Sequence, residues 1–339
     1  MRNLVTGGAG FIGSHLVDAL LARGDEVWAM DNLSTGRIEN IDHHLSHPRF
    51  KLITDSILDR PVVGEMVAAC DAVYHLAAAV GVRYIVNDPL RGIIINVQGT
   101  ENVLAAAYAH RRKAVIASSS EVYGKSTRVP LREDDDRVLG PTTINRWSYA
   151  SSKAIDEHFA LAYAAKGLPV SVLRFFNCYG PRIHSNGYGT VIARFVRQAL
   201  NGEPITVHGD GRQTRCFTFV ADMVRGLLAA GSVPGAHGRV FNLGTTHEIT
   251  VLELAHLVKT LSGSTSEVTL VPYEDYYGQS YEDTRRRVPD TTRAREVLGF
   301  LPRVSLEDGL RRTITWCREH DFVPQAASAV LTPEAISVP

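Results

Sequence analysis

Along the first half of the chain, blocks of apolar residues alternate with segments in which apolar residues recur at helical spacing. The first such segment carries Leu16, Leu20 and Leu21 on one face, which predicts an amphipathic helix. The apolar blocks predict strands over residues 3–6, 26–30, 50–53, 72–76, 113–117 and 170–175. Strands that alternate with helices favour a parallel sheet covered on both faces, so we expect an α/β fold with a doubly wound sheet.

The alternation becomes less regular after residue 176. Apolar patterns there predict helices over 189–200 and 252–261, short strands over 205–208 and 240–243, and a strand, a loop and a helix over 217–230. We therefore expect residues 1–176 to form mainly the large sheet domain and residues 177–320 mainly a smaller α/β lobe, with the chain crossing between them. Residues 321–339 are rich in Ala, Ser and Pro, and we expect them to fray.

Glycines mark the first connection between a strand and a helix, where the letters TGGAGFIG end the first strand. Gly7 permits a tight turn, Gly10 lets the backbone come close to a pyrophosphate, and Gly13 lets helix and strand pack closely. The amide groups at the helix start, including those of Phe11 and Ile12, favour an anion. The motif predicts a dinucleotide site of the Rossmann type, although glycine-rich turns also occur without a ligand.

An acidic residue completes this unit, because the second predicted strand ends in Asp31. Its distance from the glycines fits an acid that binds the adenosine ribose, and its charge would repel a 2′-phosphate, so the sequence predicts NAD rather than NADP. Further candidates for cofactor binding follow the second, third and fourth strands: Asn32, Ser34, Thr35, Gly36, Asp55, Ser56, Leu76, Ala77 and Ala78. Asp55 either meets the adenine or caps a helix that begins at Ile57.

Candidate catalytic residues follow the fifth strand and lie in a later helix. Ser119, Ser120 and Glu121 stand where a doubly wound sheet opens into its crevice. Tyr149 and Lys153 lie one helical turn apart on the same face of a predicted helix. A free tyrosine has a pKa of about 10, but an adjacent ammonium and a positive nicotinamide ring would favour the phenolate. We predict these residues to be catalytic, with Tyr149 and Lys153 also in contact with the cofactor.

The composition argues against several other classes of function. The chain has 339 residues with 36 Lys and Arg against 36 Asp and Glu, so no net positive charge favours nucleic acid or a membrane surface. No apolar stretch is long enough to cross a bilayer, and a core strand follows almost directly on Met1, so we expect no signal peptide. The 4 cysteines are far apart and lack metal-ligand spacing, so we expect reduced thiols, no metal site and a cytoplasmic protein.

Together these motifs resemble those of the extended short-chain dehydrogenases/reductases that act on nucleotide sugars. The matching segments are TGGAGFIG, HLAAA, SSSEVYG, YASSK and RFFNCYGPR, together with Asp31, and they cover nearly the whole chain. Within this family, SSSEVYG, GPRIHSNGYGTVIARF, GDGRQTRCF and RVPD are most similar to segments of the UDP-glucuronic acid decarboxylases. Two features depart from that group: residues 80–84 are more like some 4-epimerases, and Arg194 stands where an asparagine is usual.

The resemblance implies an NAD-dependent enzyme and a UDP-sugar substrate. Such an enzyme oxidises C4 of UDP-glucuronic acid, releases carbon dioxide and returns the hydride to give UDP-xylose, or releases the 4-keto-pentose earlier. The alternatives are a 4-epimerase of UDP-glucuronic acid or a UDP-hexose and, in another class, an NAD-sensing protein without catalysis. A 4,6-dehydratase is disfavoured because Ser120 replaces the acid expected there. The resemblance also implies a homodimer.

The resemblance further implies substrate-binding roles for residues in one loop and in the second lobe. These residues are Arg83, Asn177, Arg182, Val191, His208, Arg215 and Arg287. Arginine suits the diphosphate and carboxylate of such a substrate. The alternative for Arg182, Arg215 and Arg287 is a surface arginine or a structural ion pair, and the alternative for Asn177 is a cap of the following turn.

Overall fold

A seven-stranded sheet lies at the centre of the structure, a computed structural model that describes residues 1–81, 88–183, 191–273 and 284–320. Its strands are β1 (Arg2–Thr6), β2 (Glu26–Met30), β3 (Phe50–Ile53), β4 (Ala72–His75), β5 (Lys113–Ser119), β6 (Val170–Phe175) and β11 (Arg239–Leu243). They lie in the order β11-β6-β5-β4-β1-β2-β3, and all neighbours are parallel. The predicted doubly wound α/β sheet is confirmed.

The strand order places a crevice at the carboxyl ends of β1 and β4. From β1 the chain adds β2 and β3 on one side and then crosses back to place β4 on the other side of β1. At such a reversal the loops after the two strands diverge and leave room for a ligand. The glycine loop after β1 meets the loop after β4 there, since a Cβ at Gly7 would lie 2.8 Å from the Ala77 amide nitrogen.

Helices cover both faces of the sheet, and others pack in the second half of the chain. The helices of the described residues are α1 (Phe11–Ala22), α2 (Arg60–Ala69), α3 (Pro89–Ala109), α4 (Arg146–Ala165), α5 (Val191–Leu200), α6 (Val220–Ser232), α7 (Val251–Ser262), α8 (Thr292–Leu298) and α9 (Leu306–Glu319). Successive residues of β1 belong to different cores: Val5 lies in a cluster with Leu16 of α1, and Leu4 in a cluster with Val63 of α2. Burial on both faces explains the apolar runs that made the strands recognisable. No helix within the described ranges is long and apolar enough to cross a membrane.

The six predicted strands of the first half are confirmed, with small shifts at their ends. β5 runs further than predicted, through Ser119, because Ser118 and Ser119 pair with Arg174 and Phe175 of β6. Strand Thr218–Phe219 leads directly into α6, so the loop predicted between them is absent. The other strands and helices predicted in the second half are present, within the residues that are described.

Among the described residues, short strand pairs accompany the second half of the chain. The pairs are β8 (Ile205–His208) with β13 (Val268–Val271), β9 (Thr214–Cys216) with β12 (Glu248–Thr250), and β7 (Cys178–Tyr179) with β10 (Thr218–Phe219). β11 comes from the same half but pairs with β6 and extends the central sheet. The chain therefore crosses between the two halves, and the tail at 321–339 lies outside the described residues.

A buried ion pair fastens α4 to the sheet. Arg174 on β6 donates from Nε to Glu157 Oε1 at 2.9 Å and from Nη2 to Glu157 Oε2 at 2.7 Å. The Ser118 hydroxyl donates to the same carboxylate at 2.5 Å. Arg174 also donates to the Tyr123 hydroxyl at 2.8 Å, which donates in turn to Asn242 Oδ1 on β11 at 2.7 Å. This network fixes the helix that carries Tyr149 relative to three strand ends.

Candidate active site

The glycine loop after β1 has a shape that side chains would fill. Gly7 has φ +71, a conformation that favours glycine, and a Cβ at Gly13 would overlap the Gly7 carbonyl oxygen. Helix α1 begins at Phe11 after Gly10, with no side chain capping its first turn. Its first amide groups are therefore directed at the crevice without a competing side-chain acceptor, as an anionic phosphate group requires. The loop fits a dinucleotide.

Asp31 lies at the end of β2, directly beside this loop. Its side chain is 8% exposed and accepts hydrogen bonds from the amides of Ala9 at 3.0 Å and Leu33 at 2.9 Å. Burial raises the pKa of this carboxyl, and the amide hydrogen bonds oppose that rise. A Cβ at Gly36 would lie 2.6 Å from Asp31 Oδ2, so the following loop passes close over the carboxylate.

The rest of that loop is a turn built on Asn32. Asn32 Oδ1 accepts hydrogen bonds from the Ser34 amide at 3.1 Å and from the Ser34 hydroxyl at 2.7 Å. Asn32, Ser34 and Thr35 are exposed at the mouth of the crevice beside Gly36 and Asp31. Their contacts with a cofactor stay predictions, but their position next to the Asp31 carboxylate is the one that the sequence indicated.

Asn40 holds the glycine loop in place and was missed in the sequence. Its Nδ2 donates to the Ala9 carbonyl at 2.8 Å, and the same oxygen accepts from the Arg37 amide at 3.0 Å. The side chain is only 4% exposed. Asn40 and Ala9 are 31 positions apart, so no local sequence pattern predicts this hydrogen bond.

Asp55 does not cap a helix, so the alternative in which it caps a helix from Ile57 is wrong. Helix α2 begins at Arg60, and its N-cap is Asp59, whose Oδ1 accepts from the Val62 amide at 3.0 Å. Asp55 Oδ1 instead accepts from the Ser56 amide at 2.6 Å, and both residues are half-buried after β3. A role for Asp55 and Ser56 in adenine binding stays a prediction.

The end of β4 is held by Thr6 of β1. The Thr6 hydroxyl accepts from the amides of Leu76 and Ala77, both at 3.2 Å, and lies 2.8 Å from His75 Nδ1. Burial, with a smaller effect from Lys153, lowers the pKa of His75 to about 3, so this imidazole is neutral. Leu76, Ala77 and the adjacent Ala78 are half-buried, and the small side chains of the two alanines leave the crevice open beside the strand.

Asn96 ties this strand end to the helix with the candidate catalytic pair. Its Oδ1 accepts from the Ala79 amide at 2.7 Å, and its Nδ2 donates to the Ala79 carbonyl at 3.2 Å and to the Ser152 hydroxyl at 3.1 Å. The side chain is 1% exposed. Asn96 therefore positions β4 and α4 relative to each other.

Tyr149, Lys153 and Ser119 meet beside the crevice. The Ser119 side chain lies beside Tyr149 and lowers its pKa, and Ser119 Oγ accepts from the Glu121 amide at 3.2 Å. Lys153 is 3% exposed and donates from Nζ to Asp156 Oδ2 at 3.0 Å. Burial raises the pKa of Tyr149 by more than the Lys153 charge lowers it, so the lysine alone does not make this tyrosine a phenolate.

Glu121 lies in a short 3₁₀ turn after β5 (Ser120–Tyr123) and is surrounded by arginines. Arg287 Nη1 donates to Glu121 Oε1 at 2.7 Å, and Arg146 Nη2 lies 3.5 Å from Oε2. Burial raises the pKa of Glu121, but the charges of Arg287, Arg146 and Arg215 outweigh it and hold the pKa at about 2. Glu121 is therefore an anion at neutral pH. Such a concentration of guanidinium groups suits an anionic ligand.

Of these arginines, Arg215 and Arg287 were predicted and Arg146 was missed. Arg146 is the first residue of α4, one helical turn before Tyr149, and it is 7% exposed. The segment RWSYASSK contained this signal, because an arginine at that spacing lies on the same helix face as the tyrosine. Arg215, which is 8% exposed on β9, also donates to the Thr214 carbonyl at 2.7 Å.

The segment that carries Arg287 is fixed by backbone hydrogen bonds. The Leu131 amide donates to the Val288 carbonyl, and the Asp290 amide donates to the Leu131 carbonyl, both at 2.8 Å. Asn242 Nδ2 donates to the carbonyls of Leu131 and Asp290 at 2.9 and 3.1 Å. Arg287 is therefore held rigidly against Glu121, with 5% of its surface exposed.

The other predicted substrate residues have mixed placements. Asn177, between β6 and β7, donates to the Cys216 carbonyl of β9 at 3.3 Å, a contact that differs from the turn cap that was its alternative. His208 Nδ1 lies 3.1 Å from Arg194 Nη1, and burial with this arginine lowers the pKa of His208 to about 4. Val191 is half-buried at the start of α5, and Arg83 lies outside the described residues.

Arg182 takes part in an ion pair on the outer side of α1. Its Nη1 lies 2.7 Å from Asp18 Oδ2, so its contact in this structure is the structural ion pair that was the alternative to substrate binding. Asp18 Oδ1 also lies 2.7 Å from His44 Nε2 and 3.3 Å from His43 Nε2. Within the described residues these three side chains could together reach one metal ion, but the Arg182 charge on the same carboxylate opposes a cation.

Replacing Gly36 with alanine is expected to weaken NAD binding about tenfold, since about 1.4 kcal/mol corresponds to that factor. The added Cβ would lie 2.6–2.8 Å from the atoms of the Asp31 carboxylate and would displace the loop. Titration calorimetry with NAD measures the change. Gly64→Ala in α2 is the matched control, because a Cβ there meets no atom within 4 Å and alanine favours a helix. Equal affinities for both variants would contradict this assignment of the loop.

The chain is similar to known proteins over almost its whole length. The sequence profile of the family described as GDP-mannose 4,6 dehydratase matches residues 4–313. The chain is 43% identical to a UDP-N-acetyl-alpha-D-glucosaminuronate decarboxylase of Bacillus cytotoxicus, over 94% of this chain and 98% of that protein. It is 39% identical to UDP-glucuronic acid decarboxylase 2 of Arabidopsis thaliana, over 96% of this chain and 70% of that protein.

Solved structures share the fold. One is a UDP-glucuronic acid 4-epimerase from Bacillus cereus in complex with UDP-glucuronic acid and NAD, which matches with a TM-score of 0.83 and 30% identity. The match covers 94% of this chain and 99% of that one. The glycine loop, the Ser119–Tyr149–Lys153 group and the strand order all agree with such a relationship. The chain therefore belongs to the GDP-mannose 4,6-dehydratase family, within the extended short-chain dehydrogenases/reductases.

Proposed function

We propose that this protein is an NAD-dependent decarboxylase of a UDP-uronic acid, with UDP-glucuronic acid as substrate and UDP-xylose as product. One observation supports this most directly: Glu121, ion-paired with Arg287, lies close enough to Tyr149 to raise its pKa. The predicted base thus has a carboxylate near it that three guanidinium groups surround, in a chain 43% and 39% identical to two sugar-nucleotide decarboxylases.

The crevice would hold NAD, with the glycine loop at the diphosphate, Asp31 at the ribose and residues 76–78 beside the flat ring. The overlap that a Cβ at Gly13 would cause and the uncapped start of α1 support this placement. When bound, NAD accepts a hydride from the sugar and returns it. Tyr149 and Lys153 lie at the carboxyl-end side of the sheet, where they can reach both ligands.

Tyr149 would remove the proton of the sugar 4-hydroxyl, and Ser119 would donate a hydrogen bond to the same oxygen as it becomes a ketone. A ketone at C4 is β to the C6 carboxylate, so the C5–C6 bond can break with its electrons in an enolate. Ser119 and the protonated Tyr149 stabilise that enolate. Ser120 and Glu121 position the sugar or the water that returns a proton to C5.

The arginines from the second half of the chain would bind the negative charges of the substrate. Arg215 and Arg287 belong to residues 177–320, and both act on Glu121 after β5, which belongs to the first half. We therefore assign the nucleotide sugar to the region where the two halves meet. A diphosphate and a carboxylate both suit the planar guanidinium fork.

A second candidate substrate is UDP-N-acetylglucosaminuronic acid. The Bacillus cytotoxicus relative, which is named for a substrate of that kind, is 43% identical to this chain, and the match covers 98% of the relative. The two substrates differ at C2 only, whereas the chemistry at C4 to C6 is the same. The same catalytic residues serve either one.

Incubation with each of the two UDP-uronic acids in the presence of NAD, followed by mass spectrometry of the products and capture of carbon dioxide, tests the proposal. We expect loss of carbon dioxide from at least one of them, with UDP-glucuronic acid favoured. A C4 epimer that retains its carboxylate would establish the 4-epimerase alternative instead. Binding of NAD without turnover of either substrate would favour the sensor alternative.

We also propose that the protein forms a homodimer through α3 and α4, which pack against each other. These helices expose large apolar side chains, among them Leu90 (68%), Tyr108 (42%) and Ile155 (41%). A second copy of the same face would cover them. Sedimentation analysis of the wild type and Ile155→Lys tests this, and a dimer that survives the lysine would contradict it.

We further propose that the protein works in a reducing compartment, the cytoplasm. All 4 cysteines carry free thiols and are buried. Burial raises the pKa of Cys70, Cys216 and Cys317 to about 12, which makes them unreactive.

A further inference from the structure

A buried carboxylate that no sequence motif indicated lies beside the predicted catalytic pair. Asp156 on α4 is 0% exposed, and its Oδ2 accepts a hydrogen bond from Lys153 Nζ at 3.0 Å. Its other oxygen, Oδ1, is buried, and the Thr100 hydroxyl is the polar side chain that faces the carboxylate and lowers its pKa. The charge of this carboxylate is therefore directed at Lys153. The ammonium that should stabilise a Tyr149 phenolate already has an anion in contact with it.

We propose that Asp156 is a positioning residue of the active site, which fixes the Lys153 ammonium and raises the pH at which the Tyr149–Lys153 pair loses its first proton. This inference rests on the proposed function in one respect, that Tyr149 is the base. Asp156 itself touches neither substrate nor reacting atoms in this role.

The physical reason is competition between two anions for one cation. An ammonium stabilises a neighbouring phenolate through its positive charge, and a carboxylate 3.0 Å from that ammonium cancels much of the effect. The pKa of Tyr149 follows this pattern: burial raises it, Lys153 lowers it, and Glu121 and Asp156 raise it further. Without the Asp156 charge, the phenolate becomes the counter-ion of Lys153, and the pair gives up a proton more easily.

Other charged groups around the pair are already engaged. These groups are Glu157 on α4 itself and, from neighbouring elements, Glu121 after β5, His75 on β4 and Arg174 on β6. Glu121 is bound by Arg287, and Glu157 is bound by Arg174. His75 is neutral because burial lowers its pKa to about 3. Asp156 is thus the anion that meets the Lys153 ammonium directly, and its removal should change the titration of the pair.

The test is Asp156→Asn, which keeps the size and removes the charge. The ultraviolet absorbance of tyrosinate, taken as the difference between a protein and the same protein with Tyr149→Phe, gives the ionisation of Tyr149 without NAD or substrate. We expect the midpoint to fall by about one pH unit, a tenfold change in the acid constant. The acidic limb of kcat/KM for carbon dioxide release should move the same way. An unchanged or higher midpoint would overturn the proposal.

Three further variants keep the result interpretable. Asp156→Glu retains the charge and should restore a midpoint close to that of the wild type. Asp222→Asn removes another buried carboxylate, which accepts from the amides of Arg303 and Val304 at 3.1 Å, and should leave the Tyr149 midpoint unchanged. If Asp156→Asn does not fold, Asp156→Ser gives the same comparison with a smaller uncharged side chain.

The two proposals can fail separately. The absorbance titration needs neither substrate nor cofactor, so a protein that releases no carbon dioxide would overturn the proposed decarboxylase and leave the role of Asp156 measurable. A titration that Asp156→Asn leaves unchanged would overturn the role of Asp156 and leave the decarboxylase untouched.

Discussion

Replacing Tyr149 with phenylalanine is expected to lower the rate of carbon dioxide release by a factor of about 10²–10⁴, the usual contribution of a general base. The substitution removes the hydroxyl that lies beside Ser119 and leaves the ring in place. Because the phenyl ring fills the same volume, NAD should bind nearly as well as to the wild type. Initial rates with UDP-glucuronic acid and calorimetry with NAD measure the two quantities.

Tyr163→Phe is the matched control for this change. Tyr163 lies on the same helix, α4, and its hydroxyl donates to Glu101 Oε1 at 3.4 Å on the outer side of the protein. Surface substitutions usually change the free energy of unfolding by less than about 0.5 kcal/mol, so this variant should stay folded. Its rate of carbon dioxide release should therefore stay within about twofold of the wild type. A Tyr149→Phe enzyme that keeps wild-type rates would show that another group is the base.

Replacing Arg287 with methionine is expected to lower kcat/KM about 100-fold, because truncating one partner of a buried charge pair costs about 2–5 kcal/mol. Arg287 donates to Glu121 at 2.7 Å and is the strongest of the arginine charges that hold the pKa of Glu121 at about 2. Without it, Glu121 should take up a proton at higher pH, and activity should be lost first at the acidic end. Rates measured across the pH range show this.

Arg286→Met separates the site effect from a general loss of charge. Arg286 is the chain neighbour of Arg287, but its side chain is 56% exposed and pairs with Glu248 at 2.7 Å. Exposed pairs contribute about 0–1 kcal/mol, so this variant should keep its activity and its melting temperature. Similar losses in the two variants would contradict a specific role for Arg287.

Local sequence patterns were sufficient to predict the central sheet and about half of the candidate site. The glycine loop, Asp31 and the pair Tyr149 and Lys153 each depend on spacing within one turn or one helix, and sequence order records that spacing directly. The strands were recognisable because burial on both faces makes them continuously apolar. Whether these residues touch a ligand does not follow from the pattern, and the proposed experiments address it.

Long-range contacts could not be read from the sequence. Asn40 reaches the glycine loop through a side chain, and Arg182 pairs with Asp18 from a position far along the chain. Asp156 looks like an ordinary polar residue of an amphipathic helix until the fold buries it beside Lys153. The rise that burial imposes on the pKa of Tyr149 was not visible in the sequence for the same reason, whereas the predicted lowering by Lys153 is present.

The contribution of β11 to the central sheet limits how the protein can be divided. β11 supplies backbone partners for β6 along residues 171–175, although it comes from the second half of the chain, after β7, β8, β9 and β10. A fragment that ends near residue 176 would therefore expose the edge of β6, with unpaired amide and carbonyl groups that recruit strands from other molecules. Expression of the first half alone should yield aggregates rather than an isolated cofactor-binding module.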